Sequence, residues 1–450
     1  MKLSPARVLL AIVAIGLASV TTLSFAGFNG GGGGNRVGGV SIDPAGVVRA
    51  ATVQENQEFI NLLRASVPVA KGDLAQAAET RMISLKGIQA AIETARQGGG
   101  RLPADVRFLA GLTSIEYVYV DQQNQDIVIA GPAEPWKIGD DGSIVGTKTG
   151  AAVLRLEDLI VALRNVDNSR HGGISVSIEP TAEGRDRLQK LLRRVTLKPG
   201  QNPAVIENAM KQAFGPQQVK FNGIPTDSRY AATLVAADYE MKRLAMALED
   251  SPVKELPSYL SMARNARHSS VSNPRWWIEC AYDSLTRNEA GTAWKLSGQG
   301  VKTLTEDEVV NKSGQLESTG RNDQFAQKWA DAMTANYVEL AAKKPIFGEL
   351  QNLMDLTVVA TLIAQESLES KSGLQLTVFR DNDLLSPVSY DTPRTISPEC
   401  SFIRGNAGWV VTASGGVSIN PFQLITEQQV DAGLEQVASV GTADAWWWNK

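Results

Sequence analysis

Three residue types in this chain can do chemistry in quantity or in cluster: a few histidines and cysteines, many carboxylates, and nine tryptophans. His171 and His268 are the two histidines, so HExxH and every multi-histidine metal spacing are absent, and Cys280 with Cys400 make no zinc knuckle. His171 precedes Gly172-Gly173 at a strand start and reads as structural, and His268 sits in the basic run ARNARHSS and reads as solvated. Ser251-Pro-Val-Lys254 fits S-x-x-K and Lys148-Thr149-Gly150 fits K-T-G, but penicillin-binding enzymes carry these elements in the reverse order. Both read as coincidence. G-x-S-x-G, G-x-x-x-x-G-K-[ST] and G-x-G-x-x-G are absent, which removes the sequence support for an α/β-hydrolase or a nucleotide site and implies no cofactor.

Carboxylates remain, because glycoside hydrolysis needs only two acids facing each other across a cleft. Glu134, Asp140, Asp141, Glu279, Asp283, Glu306, Asp307, Glu308 and Asp355 are the candidates. Asp140-Asp141-Gly142 reads as turn chemistry and Glu306-Asp307-Glu308 as a solvated helix start. Asp355 lies in the otherwise apolar NLMDLTVVATLIA, so it is expected to be buried with a partner, Arg275 or Lys295.

Tryptophans offer flat apolar faces with one donor. Trp329 falls at core spacing on a helix, whereas Trp276 and Trp277 point to opposite faces if Arg275–Cys280 is a strand, so one of them faces outward. The terminal Trp446-Trp447-Trp448 either docks on its own chain or presents an aromatic surface to glycan, lipid or protein. Glu134 and Trp136, just past a strand end, complete the set of ligand-binding candidates: Glu134, Trp136, Trp276, Trp277, Trp446, Trp447 and Trp448. Cys280 and Cys400 are either a disulfide, contributing ~4–5 kcal/mol on the chain-entropy model, or two unpaired buried thiols.

The elements that must position these residues begin with Leu109–Trp136, where Ile115, Tyr117 and Tyr119 alternate with Glu116, Val118 and Val120, and Ile127 and Ile129 with Val128 and Ala130. That alternation predicts a hairpin turned by DQQNQ, covered on both faces and stopped by Gly131-Pro132 and Pro135. A short strand ending at Pro44 and an amphipathic helix over Thr52–Ser66 precede it. Ser84 caps a helix through Gln97, and GDDG turns a second hairpin after Trp136. Helices are predicted at Leu154–Val166, Thr181–Val195, Pro203–Phe214 and Tyr230–Leu248, with strands at Ile174–Ile178 and Gln218–Phe221 between them. After a Pro-, Ser- and charge-rich stretch come strands at Asn273–Leu285 (NPRWWIECAYDSL), Ala293–Leu296 and Val301–Leu304, the last two turned by SGQG. A helix pair follows over Asp323–Lys343 and Pro345–Glu366, then further strands.

GGVSIDP (Gly38–Pro44) recurs as GGVSINP (Gly415–Pro421), with Gly172–Pro180 a looser copy. The bland reading is chance recurrence at strand ends; the sharper one is that the terminal copies pair in one sheet. The whole is an α+β (mixed α/β) chain with five segments: a leader at 1–26, a glycine-rich linker at 27–39, an N-terminal α/β domain at 40–250, a linker at 251–273 and a C-terminal α+β domain at 274–450.

The leader is read from Lys2 and Arg7, the apolar run Val8–Leu23 and the Ser24-Phe25-Ala26 cleavage pattern. An uncleaved anchor is the alternative, and no later stretch is apolar for long enough to cross a bilayer. Cleavage removes two positive charges and takes the formal net charge from −4 to −6. Mild acidity gives no support for nucleic acid or an anionic membrane surface as partner.

GIQAAIETARQGGGRLPADVRFLAGLTSIEYVYV, DIVIAGPAEPWKI and LRLEDLIVALRNV resemble a family of exported planctomycete proteins, domain of unknown function 1598. The resemblance continues through LVAADYEMKRLAM, NPRWWIEC, LSGQGVKTLTEDE, FAQKWADAMT and KPIFGELQNLMDLTVVA. It implies an exported protein without an assigned biochemical role and offers no catalytic residues. Leader, tether and spare aromatics together lead to the expectation of a non-catalytic binding or structural component of the periplasm or cell envelope, with envelope protein or glycan as partner. The alternative is a secreted glycan hydrolase using two carboxylates beside tryptophan platforms.

Overall fold

In the computed structural model the described residues are 23–24, 40–42, 47–50, 61, 67–99, 101–169, 172–195, 206–263, 273–310, 316–318, 320, 323–399, 403–405, 408–410, 414–434 and 446–450. Most of the leader, the glycine linker, most of the helix expected over Thr52–Ser66, both histidines and Cys400 lie outside them, so the proposed Cys280–Cys400 bond does too.

Strand β1 (Ala78–Ser84) runs directly into helix α1 (Leu85–Gln97), whose N-cap Ser84 accepts from the Gly87 amide at 2.7 Å. The predicted hairpin follows as β2 (Tyr117–Asp121) and β3 (Asp126–Ala133), then helix α2 (Leu156–Ser169), strands β4 (Ile174–Glu179) and β5 (Gln217–Asn222), and helix α3 (Arg229–Ala245). Beyond residue 250 come β6 (Asn273–Cys280), β7 (Ser284–Arg287), β8 (Ala293–Ser297), β9 (Val301–Val310), helix α4 (Pro345–Gln365), β10 (Ser414–Ile419) and β11 (Trp447–Asn449). The class is α+β.

Two large sheets organise these elements. One runs Gln429–Val430, β7, β8, β2, β3, β1, β11; the other runs Leu316–Ser318, β9, β6, β10, β4, β5, Thr395–Ile396, Val47–Ala50, Val40–Ile42. Both draw strands from either side of residues 251–273, so backbone hydrogen bonds knit together the two segments expected to be separate domains, and neither segment completes either large sheet alone.

Helix α3 lies on β4 and β10, and α4 packs against α2 and α3. Apolar on all sides, α4 has the length and composition of a membrane span, which the sequence reading did not anticipate beyond the leader. It is enclosed instead, with Leu350, Leu353, Met354, Val358 and Leu362 fully buried in one continuous core. Of the expected helix pair, the Tyr337–Lys343 segment packs on α4, while Gln324–Ala335 lies on β9.

Several expectations are corrected here. Gly131-Pro132 does not stop β3, which continues to Ala133. The proline falls where the register with β1 shifts between Ala78 and Arg81, a bulge that tolerates the missing donor. SGQG does not close a hairpin: β8 and β9 belong to different sheets, and β8 pairs with β7, whose first residues the sequence reading merges into one strand with β6. Glu306 starts no helix but sits within β9.

The three echo copies share one sheet, yet the terminal copies do not pair. Strand β10 pairs antiparallel with the middle copy β4, and Val40–Ile42 lies at the far edge against Val47–Ala50. The paired glycines of the C-terminal copy have a steric cause. A Cβ on Gly415 would stand 1.5 Å from the Trp276 carbonyl oxygen, and one on Gly416 2.1 Å from that of Val176. Glycine lets β10 slot between β6 and β4.

Candidate functional site

Most ligand candidates from the sequence are committed to internal contacts. The Glu134 carboxylate accepts from the Lys148 amide at 2.7 Å, the Thr149 amide at 3.0 Å and the Thr149 hydroxyl at 2.6 Å, so it organises the K-T-G turn. Trp136 is buried, donates its indole N–H to Pro68 at 2.8 Å and meets Phe108 edge-on at 5.5 Å.

Trp446, Trp447 and Trp448 are half-buried in and beside the edge strand β11, in register with β1. The Trp446 carbonyl accepts from Ser84, Trp447 lies under the Arg81 guanidinium at 5.0 Å, and Trp448 packs on the Met82, Tyr119 and Val128 cluster. Arg81 locks this end of the chain, donating to Asn449 at 2.8 Å, Ala110 at 2.6 Å and Gln76 at 2.9 Å. Ala110 and Leu109 hold positive φ values of 50° and 44°, a conformation that costs ~1–2 kcal/mol per non-glycine residue and is held here by the surrounding contacts.

The acids are likewise engaged. Asp141 accepts from the Ser143 amide and hydroxyl, both at 2.9 Å, as turn chemistry requires. Asp355 is buried on α4, but neither Arg275 nor Lys295 pairs with it: Tyr282 donates its hydroxyl, and the Ile115 amide donates at 2.8 Å. Two neutral donors do not offset desolvation, and burial pushes Asp355 up to about 7. The neighbouring Cys280, half-buried at the end of β6, has its thiol lifted by burial and by Asp355.

Sequence reading missed a second acid cluster. The first turn of α2 supplies Glu157 and Asp158, the start of α3 supplies Arg229, and the first turns of α4 supply Glu349. Arg229 donates to Asp158 and, at 2.6 Å, to Glu349, with Glu157 at 3.6 Å. Arg155 adds weaker contacts to Glu349 at 3.6 Å and Glu157 at 3.8 Å. Burial lifts Asp158, with Glu157 and Glu349 adding to it against the pull of Arg229, and the three carboxylates hold Arg229 firmly protonated despite its burial. The sequence signal was acids in the first turn of a helix, where they also complement the helix dipole, so nothing local marked them as a cluster.

Trp276 and Trp277 divide as the strand alternation predicts. Trp276 is fully buried, edge-on to Tyr259 at 5.0 Å and to Trp329 at 5.1 Å, and donates to Ala326 at 3.3 Å. Trp277 is half-buried, on the opposite face of the nine-stranded sheet. Its indole N–H donates to Glu279, and the Arg275 guanidinium lies 5.7 Å from the ring.

Register places Trp277 beside Gly416, then Ser177, then Lys220, and in the next row Glu279 beside Ser418, Ser175 and Asn222. Three strand spacings, ~14 Å, separate Trp277 from Lys220. Between them the row carries only Gly416 and Ser177, small residues that leave a shallow trough between the two long side chains. Lys220 pairs with Glu179, which also accepts from Ser177 at 3.1 Å. Most of β4, all of β5 and the helix α3 beneath fall in one stretch: residues 176–259 match the family model described as a protein of unknown function, DUF1598.

The chain carries a domain of unknown function. No curated protein and no solved structure matches the chain. The DUF1598 stretch contains Arg229 of the buried ion cluster and the pair Asp238–Lys242, joined at 2.8 Å on the inner side of the same sheet. Lys242 also reaches the Gly415 carbonyl at 3.4 Å and that of Ile178 at 3.5 Å, bridging β10 and β4 from below. Burial lowers the Lys242 ammonium and raises Asp238, so both are pressed toward their neutral forms. The DUF1598 stretch therefore supplies the underside of the trough as well as half of its floor.

Proposed function

We propose that this chain is an exported, non-catalytic binding component of the periplasm or cell envelope. The single observation that carries the reading is Trp277: a partly exposed aromatic ring on a sheet face, held in place by Arg275 on one side and Glu279 on the other. A ring fixed by its neighbours loses little freedom when a ligand stacks on it, which favours binding. The apolar leader ending at Ala26 and the glycine tether behind it support export. Cell fractionation with intact-mass measurement tests the reading. The expected product begins at Gly27 and travels with the envelope fraction; a cytosolic chain retaining Met1–Ala26 overturns it.

A carboxylate-dependent glycan hydrolase is the second reading, favoured by Asp158 and Glu349, two buried acids of which one is lifted above the ordinary range. Against it, both acids grip the same guanidinium, so Arg229 occupies the space between them that a scissile bond needs. Release of reducing ends from cell-wall glycan, abolished by Asp158→Asn, would favour this reading over the first.

A further inference from the structure

The outer face of the nine-stranded sheet has the chemistry to select among ligands, and this step rests on the binding reading above. Among the described side chains its charges balance: Arg275, Lys220 and Lys302 stand among Glu179, Glu279 and Glu306, and the Lys220–Glu179 contact cancels one pair directly. A surface of mixed, paired charge carries no net field to draw a polyanion or a polycation. Donors and acceptors are interleaved instead. The half-buried Ser175 and Ser418 hydroxyls make no hydrogen bond to other described residues and lie on the trough floor in the row of Glu279, next to the row of Trp277.

Hydroxyl groups, each both donor and acceptor, satisfy such a surface, and the apolar face of a pyranose ring stacks on indole. The floor is kept shallow by Gly416, where a Cβ has no room against the Val176 carbonyl. We infer that the trough between Trp277 and Lys220 binds a neutral, extended polysaccharide, with Trp277 as the stacking platform and the floor serines as hydrogen-bonding partners.

Native gel electrophoresis of the full mature chain through gels containing a neutral polymer tests this. Hydroxyethylcellulose and glycol chitin are the neutral probes, and polygalacturonate is the anionic control. At least one neutral polymer should slow the wild-type chain several-fold, polygalacturonate should not, and Trp277→Ala should abolish the effect. Ser175→Tyr, which leaves Trp277 in place and fills the trough at a half-buried position suited to an aromatic side chain, should abolish it too. A thermal melt of each variant separates lost binding from lost fold.

Migration unaffected by both neutral polymers overturns the inference, as does retardation by polygalacturonate alone, or full retardation of a folded Trp277→Ala or Ser175→Tyr variant. If the chain is exported and envelope-bound but neither neutral polymer slows it, the glycan inference falls while the binding reading stands. If the chain is cytosolic, the binding reading itself falls.

Discussion

Trp276 and Trp277 are adjacent in the chain and live in different environments. The first is enclosed by Tyr259, Trp329 and the Ala326 carbonyl, and the second, half-buried, is braced by Arg275 and Glu279. The strand β6 presents alternate residues to opposite sides, so a single residue step separates a core-filling role from a surface one. The contrast extends across the whole sheet. Its inner side holds α3, the Asp238–Lys242 pair and the apolar core, and its outer side holds serines, glycine and balanced charge. Inner residues should therefore govern stability and outer residues recognition, with little exchange between the two.

The largest expected effect lies on the inner side. Trp276→Ala should destabilise by about 3–5 kcal/mol, read as a shift in the denaturant midpoint, because an indole in a closed aromatic cluster leaves a cavity that the neighbours fill only in part. A loss under about 1 kcal/mol would break the contrast between the two tryptophans.

Asp355 gives the next effect. Its folded-state value of about 7 lies above the unfolded 3.8, so the protonated form is the one the fold favours. That stabilisation is fully present below about pH 4 and is lost as pH rises through about 7, a change of up to ~4 kcal/mol. Asp355→Asn should flatten this part of the stability–pH curve, measured by denaturant unfolding from pH 4 to pH 8. An unchanged slope would mean that the acid is paid for by a partner other than Tyr282 and Ile115.

Splitting the chain sharpens the comparison further, since both sheets cross residues 251–273. Residues 40–250 expressed alone should give no cooperative thermal transition. A sharp melt from that fragment would restore the two-domain division. The smallest stability effect belongs to Trp277→Ala, about 1 kcal/mol for one hydrogen bond and one cation–π contact at a half-buried position.

How much of this was legible in the sequence follows from how local each feature is. The β2–β3 hairpin, the Ser84 cap and the opposed faces of Trp276 and Trp277 depend on neighbours within a few residues, and period and residue type reveal them. Sheet membership is not local. SGQG looks like a hairpin turn, yet the chain passes from one sheet to the other there, and only the distant pairing of β8 with β2 and of β9 with β6 decides it.

The Arg229 cluster gathers the beginnings of three helices far apart in the chain, so each member alone reads as a helix-start residue. Asp355 was conspicuous for its apolar surroundings, but its partner Tyr282 lies in the connection between β6 and β7, where no pattern points at it. The GGVSI echo reads first as chance recurrence, and its sharper reading names the wrong partners, because register is set by the glycines' close backbone approaches rather than by the repeat.

The division between the two faces is tested most directly by measuring neutral-polysaccharide retardation and the unfolding midpoint on the same preparations of wild type, Trp276→Ala and Trp277→Ala. The account predicts that Trp277→Ala keeps a midpoint close to wild type and loses retardation, whereas Trp276→Ala loses far more stability and keeps retardation wherever it remains folded. A Trp277→Ala variant that is retarded like wild type, or that unfolds as readily as Trp276→Ala, would contradict it.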